Sequence, residues 1–108
     1  MIGISFSEFI EDLYIGHEFE FEYKGEEYTL MREFPNKIKI FSNSNDDIFE
    51  VFEGNSREDV IDKFLNSSSD KKFNIQEMEK DIKILYVLWN CNASDMKKNW
   101  YTYSKTNF

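Results

Sequence analysis

The apolar residues in the first third of the chain change period once. Phe6, Phe9, Ile10 and Leu13 recur at three- and four-residue spacing, which puts them on one face of a helix. Ser5 and Glu8 have the spacing of a capping box, and Gly16 supplies a left-handed stop. From 17 to 34 the period is two. Lys24-Gly25 in "EYKGEEY" divides this stretch and reads as a two-residue hairpin turn with Gly25 at positive φ. That turn sets Tyr23 against Glu26, Glu22 against Glu27 and Phe21 against Tyr28. One side of the hairpin then carries Phe19, Phe21, Tyr23, Tyr28 and Leu30, and is expected to face the helix. The other carries Glu18, Glu20, Glu22, Glu27, Thr29 and Met31, and is expected to face water.

Pro35-Asn36 makes the next turn, and "KIKIF" (37–41) is a third strand with Ile38 and Ile40 inward. A polar loop, "SNSNDD" (42–47), leads to a fourth strand, "IFEVF" (48–52), which Gly54-Asn55 ends. Ser56 and Asp59 cap a helix over 57–66 with Val60, Ile61, Phe64 and Leu65 as its stripe, and "NSSSDKK" (66–72) is a linker within the domain. Residues 74–89 fit two patterns. Ile75, Met78 and Ile82 share a helical side, while "IKILYVLW" has the β-branched and aromatic content of a strand, so the spacing favours helix to about Asp81 and strand after it. A last strand is expected through Trp100 to Tyr103. The order is α-β-β-β-β-α-α(-β): a single α+β domain, 1–108, with a mostly antiparallel sheet and helices packed on one face. The alternative for 90–108 is a separately packed C-terminal extension.

Composition narrows the classes. A chain of 108 residues supports one good core, and an 18% aromatic share makes ring burial its main source of stability. The net charge of −8 is uneven: sixteen acids against five bases in 1–62 leave −11, and five against eight in 63–108 leave +3. Such a surface repels nucleic acid and anionic membrane and favours a basic partner. No run approaches the roughly 20 apolar residues of a membrane span. "MIGISFSEF" lacks the features of a secretion signal, and a lone Cys91 fits a reducing compartment, so a cytoplasmic location is expected.

Catalytic chemistry has little support. His17 is the only histidine, at a helix-to-strand junction where a solvated or locally bonded ring is the common case, and no family signature surrounds it or Cys91. No paired metal-ligand spacing occurs. "NSNDD" (43–47) lacks the central Gly and terminal Glu of a calcium loop, and four glycines make no phosphate loop. Glu77 and Asp81 read as a solvated helix face. No enzymatic activity, cofactor or metal is expected.

The glutamate ladder is the better lead. Alternate strand residues lie roughly 6.6 Å apart, comparable to successive phosphates on one nucleic-acid strand. Like charges directly opposite, as at Glu22 and Glu27, cost up to about 1 kcal/mol, which points to a use other than stability. The candidate partner-binding residues are Glu18, Glu20, Glu22 and Glu27, with Glu33, Asp46, Asp47, Glu50 and Glu53 in support. The plain alternative is a solvated, aggregation-resistant sheet face, with Lys37 and Lys39 neutralising part of the ladder. A second candidate surface is Lys97, Lys98, Trp100, Tyr101 and Tyr103, which mixes bases and aromatics as single-strand binders do. The net charge opposes nucleic acid, so covering a sheet edge or a dimer contact is the better role for it.

"FIEDLYIGHEFEFEYKGEEYTL" (9–30), "SREDVIDKFL" (56–65) and "NIQEMEKDIKILYV" (74–87) together resemble a group of small α+β proteins of Firmicutes and their phages. The resemblance covers most of 5–88, rests on turns, alternation and a capped helix, and stops at Asn90. It implies an inhibitor of host defence of the anti-CRISPR type. Together with the ladder, the expectation is a non-enzymatic DNA mimic, a monomer or weak homodimer. It would block the basic nucleic-acid-binding cleft of a defence protein such as a CRISPR effector, and bind neither nucleic acid nor membrane itself. The alternative is a small structural or regulatory protein that binds a partner, or itself, through the aromatic C-terminal segment.

Overall fold

The structure, a computed structural model, describes residues 1–45, 47–67, 71–89 and 101–103, with Trp89 and 101–103 as backbone only. Ser5 Oγ accepts from Glu8 N–H at 3.0 Å and starts α1 (Phe6–Ile15). Gly16, at φ 110°, ends it and donates to the Asp12 and Leu13 carbonyls. A Cβ at Gly16 would also lie 2.7 Å from the Phe34 ring, so conformation and space both demand glycine there.

The strands β1 (Glu18–Tyr23) and β2 (Glu26–Glu33) are joined by Lys24 and Gly25, both at positive φ, 51° and 83°, which matches the twist of the strands. The register is the one the two-residue turn implies, with Glu22 directly opposite Glu27. A turn containing a cis Phe34–Pro35 bond leads to β3 (Lys37–Ser42), then β4 (Ile48–Glu53). Ser56 Oγ accepts from Asp59 N–H and starts α2 (Arg57–Leu65). The ambiguous stretch divides at Asp81: α3 (Ile75–Met78) tightens into a 3-10 turn, Glu79–Asp81, and passes directly into β5 (Ile82–Trp89). A short β6 (Tyr101–Tyr103) pairs with the end of β5.

All neighbouring strands are antiparallel, in the order β4-β3-β2-β1-β5-β6. The meander β1–β4 grows to one side and β5 closes on the other, so β1 is internal. Phe19, Phe21, Leu30, Ile38, Ile40, Phe52, Ile84 and Val87 point to one face and pack against Phe9, Leu13, Val60, Ile61, Phe64 and Ile75. Phe64 is the hub, with ring centroids 6.2 Å from Phe9, 5.3 Å from Phe52 and 5.5 Å from Phe73. The expected α+β domain with its helices on one face is the architecture found. Among the described residues no helix is long and apolar enough to cross a membrane.

Candidate protein-interaction face

The second face of the sheet carries the residues out of phase with the core. Register ties them into rows. Tyr86, Glu20, Thr29, Phe41 and Ile48 form one row across five strands. Met31, Lys39 and Val51 form the next, and Glu33, Lys37 and Glu53 a third. Towards the β1–β2 turn, Lys83, Glu22 and Glu27 stand side by side.

Glu18 requires a correction. It was expected in the exposed ladder, yet it is 2% exposed, and its Oε2 accepts from the Arg32 backbone N–H at 2.7 Å. The cause is where β1 starts. The register that sets Phe19 against Leu30 would set His17 against Arg32, but His17 lies outside the strand, and the Glu18 carboxylate takes the Arg32 N–H instead. Burial pushes the Glu18 carboxyl above the usual carboxylate range, against the opposing pull of the Arg32 N–H and charge.

Three supporting acids are neutralised or turned away. Glu33 lies 2.8 Å from Lys39 and 3.8 Å from Lys37, and the Lys39 hydrogen bond holds its carboxyl below the ordinary range. Glu53 lies 3.9 Å from the same Lys37. Glu50 pairs across the sheet with Ile40, a core residue, and turns to the linker, accepting from Lys72 N–H at 2.8 Å with Lys71 Nζ at 3.5 Å. Asp47 is exposed after the β3–β4 turn, where its carbonyl accepts from Ser42 N–H. Asp46, Cys91, Lys97, Lys98 and Trp100 lie outside the described residues. Tyr101 and Tyr103 stand in β6, paired with Trp89 and Val87.

Charge therefore divides along the strands. At the Glu33 end, lysines answer the acids. At the hairpin end Glu20 and Glu22 are half-buried and Glu26 and Glu27 exposed, and none of the four makes an ion pair among the described residues. The two turns at this end are tied together: Asn43 N–H donates to the Glu27 carbonyl at 2.9 Å, and Thr29 Oγ1 donates to Asn43 Oδ1 at 2.7 Å. A shallow depression of about 320 Å³ between them is lined by Gly25, Glu26, Glu27, Asn43 and Ser44.

Sequence reasoning placed Met31 on this face but missed the rest of its apolar part. Met31, Ile48 and Tyr86 are 37%, 53% and 40% exposed, with Phe41 and Val51 half-buried between them. The signal was present: Phe41 and Val51 are out of phase with the inward Ile38, Ile40 and Phe52.

A buried polar cluster closes the other end of the helix layer. His17 Nδ1 lies 3.2 Å from Asp12 Oδ1, and both side chains are buried. Arg32 donates to the Leu13 carbonyl at 2.6 Å and Arg57 to the Tyr14 carbonyl at 3.0 Å, with both guanidiniums over the Phe34 ring. Burial, with Arg57 nearby, lowers the Arg32 pKa to about 10. These cations satisfy the last carbonyls of α1, where the helix dipole favours positive charge. Asp12, His17 and Arg32 are buried, whereas the Arg57–Tyr14 bond is exposed. Among the described residues no group of His, Cys, Asp and Glu is placed to hold a metal ion. Compared with known proteins, the chain matches no family model, no curated protein and no solved structure.

Proposed function

We propose that the protein is a non-enzymatic binding module that engages a basic, nucleic-acid-handling protein through the hairpin end of its open sheet face. The observation that carries this is Glu22 directly opposite Glu27, with no ion pair to either among the described residues. Such opposition costs up to about 1 kcal/mol. The same sheet pairs Glu33 and Glu53 with Lys37 and Lys39, whereas Lys83, beside Glu22 in the register, makes no ion pair with it among the described residues. The mimicking surface is smaller than the nine-residue ladder: Glu20, Glu22 and Glu27, which share the outer face of the hairpin. The net charge of −8 speeds approach to a positive cleft. An anti-CRISPR-type inhibitor from a phage or mobile element, occupying the nucleic-acid cleft of a CRISPR effector, is the member of this class that the sequence resemblance favours.

The test is capture of partners from a bacterial lysate at low salt, followed by a salt step, with the wild type and with Glu22→Lys/Glu27→Lys side by side. A DNA- or RNA-handling protein released by salt from the wild type and missing from the variant is the expected result. Partners that survive both the salt step and the charge reversal would overturn the proposal and move attention to the aromatic C-terminal segment.

A further inference from the structure

We propose that the open sheet face beside the acidic hairpin is the docking surface for a basic amphipathic helix of the partner protein, an inference that rests on the function proposed above. The row Tyr86–Glu20–Thr29–Phe41–Ile48 crosses five strands, which at a spacing of about 4.8 Å is about 19 Å. Met31 and Val51 widen it to a strip. A helix rising 1.5 Å per residue covers that distance in about 13 residues and is wide enough to span both rows.

Strand addition is the competing mode, and the sheet discourages it on the β4 side. In the middle of this edge the Glu50 carboxylate accepts from Val51 N–H at 3.2 Å and Lys71 Nζ donates to the Val51 carbonyl at 3.4 Å, so side chains already occupy the hydrogen-bonding groups of Val51. The face offers apolar area instead, at Met31, Ile48 and Tyr86.

Charge selects the occupant. Glu20 and Lys39 lie within the strip, Glu22 and Glu27 flank it on the hairpin side with Lys83 beside Glu22, and on the opposite flank Lys37 and Lys39 answer Glu33 and Glu53. A helix with an aliphatic stripe and Lys or Arg along one flank meets both features. A second copy of this chain would bring its own net charge of −8 against the same acids.

The probe is a fluorescein-labelled 14-residue Leu/Lys peptide with helical amphipathicity, titrated by anisotropy at about 0.15 M salt beside a scrambled peptide of the same composition. The expected result is binding of the amphipathic peptide about tenfold or more tighter than the scramble. Met31→Asp/Ile48→Asp should lower that affinity by about tenfold, and Glu22→Lys/Glu27→Lys should weaken both peptides. Circular dichroism confirms that each variant is folded. Equal binding of the two peptides with sensitivity to charge reversal alone would overturn the docking inference and leave the electrostatic function standing. Binding indifferent to charge reversal would count against the function itself. Failure of both peptides to bind, or a wild-type dimer in sedimentation that Met31→Asp dissociates, would also overturn the inference, the last by assigning the face to a second copy.

Discussion

Glu18 and Glu22 stand on one strand with the same parity, and they have different fates. Glu22 stays at the surface opposite Glu27, while Glu18 is buried on the Arg32 N–H. Alternation alone makes them equivalent. What separates them is the strand's starting point, which depends on the tertiary path of Gly16 and His17 and so was not legible in the sequence. Removing the carboxylate with Glu18→Ala should destabilise the protein by about 1–3 kcal/mol, because a buried donor loses its partner. Glu18→Gln keeps an acceptor and should cost less; urea unfolding measures both, and neither change should affect partner capture. The pH dependence has a definite sign. Burial raises the folded-state value of Glu18 above 4.5, so its contribution to stability is full below the unfolded value and is lost as pH rises through the folded one. Between pH 7 and about 4.5 the wild type should therefore gain stability relative to Glu18→Gln as pH falls. Glu33 and Asp59, whose values are lowered, act in the opposite sense, but both proteins share them and they cancel in the difference.

The elements themselves were largely legible, because short-range chemistry sets their ends. Ser5 and Ser56 cap as expected, Gly16 stops α1, and Lys24-Gly25 fixes the hairpin register. Even the doubtful run after Asn74 breaks at Asp81, where β-branched content takes over. The β2–β3 register was not fixed by sequence, and it decides that Lys37 pairs with Glu33 and that Lys39 reaches it diagonally. Gly16→Ala should cost about 1–2 kcal/mol for the left-handed backbone alone, and more because the new Cβ must displace the Phe34 ring. Its reduced denaturation midpoint would show this. Glu27→Thr should do the reverse, stabilising the hairpin by a few tenths to about 1 kcal/mol while reducing salt-sensitive capture. A destabilised Glu27→Thr variant would mean that the carboxylate has a structural role, and the case for its functional placement would fall.

At the scale of the molecule, the fold of the described residues is one aromatic layer between a sheet and its helices, with Phe64 at its centre. Phe64→Ala should cost about 3–5 kcal/mol, measurable as the loss of most of the unfolding free energy of so small a domain. That one-sided core leaves Met31, Ile48 and Tyr86 exposed on the second sheet face among the described residues. It also explains why the candidate site was only half visible in advance: acids announce themselves in a charge count, whereas Met31, Phe41 and Ile48 become a surface only when five strands align them. The measurement that bears most directly on the central claim is the affinity of the salt-released partner, titrated from low to moderate salt against the wild type and against Glu22→Lys/Glu27→Lys. The account predicts a steep fall with salt for the wild type and binding weaker by about tenfold or more for the folded variant at low salt. Equal affinity and equal salt dependence for the two proteins would contradict it.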